Sequence, residues 1–134
     1  MKYNGIIEAK LRIMEEKLAG IESWNITSFD ALQHSSLLQN ALERALQVSV
    51  EVMIDVSERL LALNHISPLR SAAENMKKLQ ELGILSPRPE YEELVKFRNF
   101  IVHRYERIDL EIIYNILKNK LFLFREFIGE IRQK

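Results

Sequence analysis

From Ser28 to Leu63 the chain contains neither glycine nor proline. Nothing in that stretch supplies the backbone freedom, or the missing amide, that commonly ends a helix. An unbroken helix of this length would reach on the order of 54 Å at about 1.5 Å per residue, longer than a domain of this size is wide. It therefore has to bend or project. Its second half, "VSVEVMIDVSERLLAL", is apolar on more than one face, which predicts packing neighbours on several sides. The β-branched residues there admit a strand, but strict alternation lasts only from Val48 to Val52, so the helix reading prevails.

Shorter helices flank this one. Ile7, Leu11, Met14, Leu18 and Ile21 recur at spacings of three and four, one apolar stripe on a helix from about Tyr3 to Ser23. Thr27 or Ser28 is positioned to cap the long helix. Ser71 and Glu74 have capping-box spacing and predict a short third helix, which Gly83 followed by Ile84 ends in an αL or Schellman stop. Pro87 or Pro89 suits the first turn of a fourth helix running through Leu94, Phe97 and Ile101. Asp109 can cap a fifth that carries Ile112, Ile113, Ile116, Leu117, Leu121, Phe124 and Ile128. The expectation is an all-α, four- to five-helix up-and-down bundle with one long central helix, a single domain over residues 1–134.

The sequence has no cysteine, so disulfides and thiolate metal sites are excluded. No two histidines have the spacing of a metal site on one helix. Lysine plus arginine equals aspartate plus glutamate, at 19 each, so a general attraction to nucleic acid is absent and any basic site must be local. No apolar run approaches the roughly 20 residues needed to span a bilayer, and "MKYNGIIEAK" reaches a glutamate too soon for a signal peptide. A cytoplasmic protein without membrane attachment is expected.

One stretch, "RNFIVHRYE", concentrates reactive groups around an apolar centre: Arg98, Asn99, His103, Arg104 and Tyr105. The bland reading is an ordinary helix end. Glu90, Glu92 and Glu93 open the fourth helix and Lys96, Arg98, His103 and Arg104 close it, as the helix macrodipole favours. On a regular helix Arg98 and Tyr105 share a face, whereas Arg98 and His103 point about 140° apart at about 100° per residue. The latter two meet on one phosphate only if the helix ends near His103 or if they come from two chains.

The same residues resemble the signature of the HEPN superfamily, the higher-eukaryote and prokaryote nucleotide-binding domains: an arginine, a polar residue, a few variable residues and a histidine. Arg104-Tyr105 is similar to the His-x-Tyr extension of the HepT-like branch. "ERALQVSVEVMIDVSERLL" resembles the long second helix of that branch. "LQELGILS", "ELVKFRNFIVHRY" and "IDLEIIYNILKNKLFLFREFI" follow in the branch's order, so the resemblance covers nearly the whole chain. It implies a HEPN-type bundle and a metal-independent ribonuclease that needs no cofactor and acts as a homodimer. It also implies a toxin–antitoxin pair with a nucleotidyltransferase antitoxin of the MntA type, which modifies Tyr105.

The chemistry suits such a role. RNA carries its own nucleophile, the 2′-hydroxyl, so a base to deprotonate it and an acid for the leaving 5′-oxygen suffice. Histidine fits either task, with an ordinary pKa of about 6.5. Arginine grips two phosphate oxygens through its planar fork. His103 is the candidate acid or base and Arg98 the phosphate clamp; Asn99 orients the histidine or binds a phosphate oxygen. A two-fold dimer would bring two such sets into one groove. Surplus apolar surface on the long helix predicts an interface made of its second half and the fourth helix. Lys96, Arg104 and Arg107 are candidates to track the RNA backbone, although each also reads as a solvated charge.

Asp55 interrupts an apolar run at a place expected to be buried, where a carboxylate needs a partner. Arg59, four residues on, and Arg98, which Asp55 would support from behind as the phosphate clamp, are the two candidates. His34 and His65 read as incidental. The contrasting function is a non-catalytic helical module that binds a nucleotide or a partner nucleotidyltransferase through the same groove.

Overall fold

The computed structural model describes residues 5–99 and 109–133. The described residues are helical without strands. In chain order the helices are α1 (Gly5–Ser23), α2 (Phe29–Gln33), α3 (Ser36–Leu63), α4 (Ala72–Glu81), α5 (Pro89–Lys96), α6 (Leu110–Asn115) and α7 (Leu121–Arg132). A π-helical turn, Ile116–Lys120, joins α6 to α7.

The apolar stripe of α1 faces inward as its spacing requires: Ile7, Leu11, Met14, Leu18 and Ile21 are all buried. Each such side chain contributes about 1.5–3 kcal/mol of hydrophobic burial. Helix α1 is also clamped to α7 through Arg132, whose Nε lies 2.9 Å from Glu8 Oε1 and whose Nη1 lies 2.6 Å from Glu15 Oε2. Partly exposed pairs of this kind contribute at most about 1 kcal/mol each, so the stripe holds α1 and the pairs fix its register.

The long helix is interrupted where no glycine or proline marks it. Helix α2 stops at Gln33, and α3 begins afresh at Ser36. Serine hydroxyls make the break. Ser28 Oγ accepts from Ala31 N at 3.1 Å and caps α2. Ser35 Oγ accepts from Leu38 N at 3.1 Å and caps α3. Gln39 Nε2 donates to the carbonyls of Leu32 and Gln33 at 3.1 and 3.0 Å, groups the end of α2 leaves open. His34 adds a ring N–H donated from Nδ1 to Asp30 O at 2.9 Å. Short polar side chains that bond backbone compete with helix continuation, and here they win. The remaining α3 has 28 residues, roughly 42 Å, which a domain of this size accommodates.

Both expected capping signals around α4 are realised. Ser71 Oγ accepts from Glu74 N at 3.2 Å, and the Glu74 carboxylate returns to Arg70 N at 3.2 Å. At the other end Gly83 adopts φ 76°, Gly83 N bonds Gln80 O and Ile84 N bonds Leu79 O, both at 3.0 Å, which is the Schellman pattern. The same pattern ends α3 with His65 in the glycine position. Its φ is 61°, and Ile66 N donates to Leu61 O at 2.9 Å. His65 therefore has a conformational role as the left-handed stop of the central helix.

Helix α3 packs against α1, α2, α4, α5 and α6. Val50, Val52, Met53, Ile54, Val56, Leu60 and Leu61 are buried within this one chain. Neighbouring helices on several sides thus absorb most of the apolar surface on the second half of α3, while Leu63 at its end remains 47% exposed. Ser49 and Ser57 are buried too and donate to the carbonyls of Ala45 and Met53, at 2.9 and 2.7 Å.

A polar knot ties the start of α5 to α7. Tyr91 OH donates to Glu130 Oε2 at 2.5 Å, Ser86 Oγ donates to the same oxygen at 2.9 Å, and Ser86 N donates to Oε1 at 2.6 Å. Tyr91 is fully buried, and burial together with the Glu130 carboxylate pushes its phenol pKa well up. For Glu130, burial acts to raise the pKa, but the hydrogen bonds from Tyr91 and Ser86 and the charge of Arg88 outweigh it and hold the carboxyl below its usual value. Pro89 occupies the first turn of α5, as expected of one of the two prolines.

Candidate functional site

Helix α5 has acid in its first turn, Glu90 and Glu92, and base in its last, Lys96. Tyr91, Leu94, Val95 and Phe97 are buried, which fixes the helix's rotation. A turn at Phe97 follows, and Arg98 and Asn99, again helical, are both exposed. The rotation that sinks Phe97 into the core thus places the next two side chains on the surface. His103, Arg104, Tyr105 and Arg107 lie outside the described residues, as do Ile101 and the relative direction of Arg98 and His103.

Arg98 crosses to α3. Its Nε lies 2.9 Å from Glu51 Oε1, with side-chain exposures of 45% and 42%. Both partners thus keep solvent contact, and the guanidinium remains accessible to a competing anion. Two open clefts meet at Arg98. One, of about 710 Å³, is lined by Arg98, Asn99 and Lys96 from one side and by Arg70 and Ser71 from the other. The second, of about 640 Å³, runs along α1 and α3 past Lys10, Arg44, Glu51, Asp55 and Glu58.

Asp55 corrects the sequence expectation. It is not buried: its side chain is 38% exposed, and its partners are Lys10 Nζ at 2.5 Å and Arg59 Nε at 3.4 Å. The Arg59 contact is ionic, since the buried Nε makes no hydrogen bond. Arg98 pairs with Glu51, four residues before Asp55, so Asp55 is not its ion-pair partner. The residue overlooked was Glu51. A signal for it existed: Glu51, Asp55 and Glu58 have spacings of four and three and form one acidic stripe on α3. Arg70 was overlooked as well, because it comes from a connection with no periodicity to place it.

Among the described residues no three histidine or acidic side chains converge to hold a metal ion. No helix among them is long and apolar enough to cross a membrane. His34 is exposed and paired with Asp30, remote from these clefts in its contacts.

The family described as ribonuclease HepT-like matches residues 7–131 of this chain. No curated protein matches the sequence significantly. Solved structures share the fold, among them the three that follow. A tri-AMPylated HEPN toxin of Shewanella oneidensis in complex with MNT antitoxin superposes with a TM-score of 0.87 at 20% identity, over 98% of this chain and 100% of that one. A toxin–antitoxin structure with AMP-PNP gives 0.87 at 19% identity, over 98% and 100%. The cytosolic protein of unknown function YutE from Bacillus subtilis gives 0.82 at 22% identity, over 95% and 86%.

Proposed function

Because the chain belongs to the HepT-like family, we propose that it is the toxin of a toxin–antitoxin pair, a metal-independent endoribonuclease of the cytoplasm. Arg98 clamps the scissile phosphate, and His103 transfers a proton to or from it. The observation that carries this reading is the placement of Arg98. It stands exposed just beyond α5, where two open clefts meet, with one carboxylate among the described residues, that of Glu51, at its Nε. A fork so placed can trade one carboxylate for the phosphate oxygens of a strand lying in either cleft.

In the reaction, the 2′-hydroxyl loses its proton to a base and attacks the adjacent phosphorus. The 5′-oxygen leaves with a proton from an acid, so the products are a 2′,3′-cyclic phosphate and a 5′-hydroxyl. Arg98 stabilises the charge that grows on the phosphorane oxygens. Asn99, beside Arg98 in the larger cleft, binds a phosphate oxygen or orients His103. A homodimer supplies two copies of the set, so that one His103 serves as base and the other as acid.

The partner is a nucleotidyltransferase antitoxin of the MntA type. It transfers AMP from ATP to the Tyr105 hydroxyl, with pyrophosphate leaving. The added phosphodiester brings negative charge and bulk beside the motif, which repels RNA. The Shewanella oneidensis toxin, described as tri-AMPylated in complex with its antitoxin, supports this assignment.

The test is expression of the chain alone, with RNA integrity and growth followed, and cleavage by the purified protein in excess EDTA. Arg98→Ala and His103→Ala should each lose about 10²- to 10⁴-fold in cleavage rate while keeping the helical circular dichroism of the wild type. Cleavage that requires magnesium, or a His103→Ala protein that cuts at the normal rate, contradicts the mechanism.

The second reading, a non-catalytic module, is favoured by one observation: the Arg98 guanidinium is already engaged by Glu51. On that reading the expressed chain leaves RNA intact yet still binds its nucleotidyltransferase.

A further inference from the structure

We propose that the larger cleft is a strand path for single-stranded RNA, in which Arg70 and Lys96 hold the backbone phosphates that flank the one gripped by Arg98. This rests on the ribonuclease reading and extends it to residues outside the motif.

The chain is neutral overall, so an RNA-binding surface has to be built by local excess of positive charge. The cleft provides one. Arg70, Lys96 and Arg98 line it together with the neutral donors Ser71 and Asn99, and Glu58 is the acidic lining residue among the described residues. Many cations elsewhere are spent on carboxylates of their own chain, as with Arg132 on Glu8 and Glu15, Arg125 on Glu22, and Lys120 on Glu93. Arg70 and Lys96 make no ion pair among the described residues, so a phosphate need not displace a carboxylate from either.

The cleft is also held in shape. Arg70 lies on the connection between α3 and α4, where a free loop would carry its charge diffusely. Two hydrogen bonds pin it: Leu69 N donates to Asn75 Oδ1 at 2.7 Å, and Arg70 N donates to Glu74 Oε2 at 3.2 Å. Asn75 is buried, so that anchor belongs to the core of the bundle. Lys96, the last residue of α5, and Arg98, just beyond the turn at Phe97, stand across the cleft, fixed by the buried Val95 and Phe97. Arg70 thus faces the motif helix across a space of about 710 Å³, ample for a nucleotide unit. Glu58 repels phosphate from its own part of the cleft and directs the strand toward the three cations.

The experiment measures binding of a fluorescein-labelled, fully 2′-O-methylated oligoribonucleotide, which cannot be cut, across a salt series. The purified wild-type chain is compared with Arg70→Gln/Lys96→Gln and with the charge-matched control Arg12→Gln/Lys77→Gln, whose residues line neither cleft at Arg98. Each phosphate contact on a single strand contributes about 0.7 to the slope of log affinity against log salt. The cleft variant should therefore bind more weakly, with a slope shallower by about 1.4, while the control changes slope little. Circular dichroism establishes that both remain folded. Equal slopes for cleft variant and control overturn the strand path, and so does a wild-type chain that fails to bind the oligonucleotide at low salt. Normal RNA binding by the cleft variant with loss of binding to the nucleotidyltransferase would reassign the cations to protein docking and likewise overturn it. The ribonuclease reading is judged separately, by cleavage of unmodified RNA in EDTA; cutting by the wild type with unaltered slopes would leave that reading standing and remove only the path.

Discussion

Arg98 Nε and Glu51 Oε1 lie 2.9 Å apart, joining the segment just after α5 to the central helix α3. Both side chains are close to half exposed, so the pair orients the guanidinium without locking it. A double-mutant cycle with Glu51→Ala and Arg98→Ala should give a coupling of about 0.2–1 kcal/mol by urea denaturation. A coupling above about 3 kcal/mol would mark a desolvated pair too strong for a phosphate to displace, and would remove the basis for Arg98 as a clamp.

Glu130 should make stability pH-dependent. Its folded pKa is held below the ordinary 4.5 by its hydrogen bonds to Tyr91 and Ser86. A carboxyl with a depressed folded pKa contributes stability that is fully present above the unfolded value. That contribution is lost as pH falls from there through the folded value. Denaturation at pH 7 should show Glu130→Gln clearly less stable than wild type, and the gap should narrow below about pH 4.5. A gap that stays constant down to the depressed folded value contradicts the assignment.

Tyr91→Phe removes one donor to Glu130 and leaves the ring in place. The loss of a hydrogen bond to a charged group costs about 1.5–3 kcal/mol. Because this knot seats the start of α5, cleavage should fall only as far as the fraction folded falls, and recover fully at lower temperature. A rate deficit that persists in fully folded protein would instead show that the knot reaches the site.

Gly83→Ala tests the stop after α4. An added Cβ meets no heavy atom within 4 Å, so the cost is purely that of φ 76°. About 1–2 kcal/mol of destabilisation is expected from that left-handed conformation. A neutral substitution in thermal denaturation would mean that the turn relaxes.

Tyr105→Phe keeps the ring and removes the acceptor oxygen. Co-expressed with a cognate nucleotidyltransferase, the wild-type chain should gain one or more adenylyl groups on the peptide containing Tyr105, seen as mass, and lose RNA cleavage. The phenylalanine variant should stay unmodified and toxic. Neutralisation without an adenylyl mass would show that the antitoxin works by complex formation alone.

The stripe of α1, the Ser71 cap, the Gly83 stop, a proline (Pro87 or Pro89) at the start of α5 and the Asp109 cap were legible in the sequence. Each is a local matter, settled by spacing along one helix or by the φ one residue can adopt. The break at His34 and Ser35 was not legible. It depends on Gln39 reaching back to the carbonyls of Leu32 and Gln33, and on serine hydroxyls beating a helix that propensity alone would continue. The apolar faces of α3 called for neighbours on several sides, and the bundle supplies them; spacing along one helix did not say that those neighbours come from the same chain. The site divides the same way. Arg98 and Asn99 were picked out by a motif read along the chain, and the structure adds that both reach the surface, while His103 and Tyr105 rest on the motif. Asp55 was given a buried place and a choice of partners; Arg59, four residues on along the same helix, is one of them, while tertiary packing added Lys10 and gave Arg98 to Glu51. Charge pairing acts through space between elements distant in sequence, whereas periodicity describes one element at a time. Which carboxylate meets which cation is therefore decided only when the helices come together.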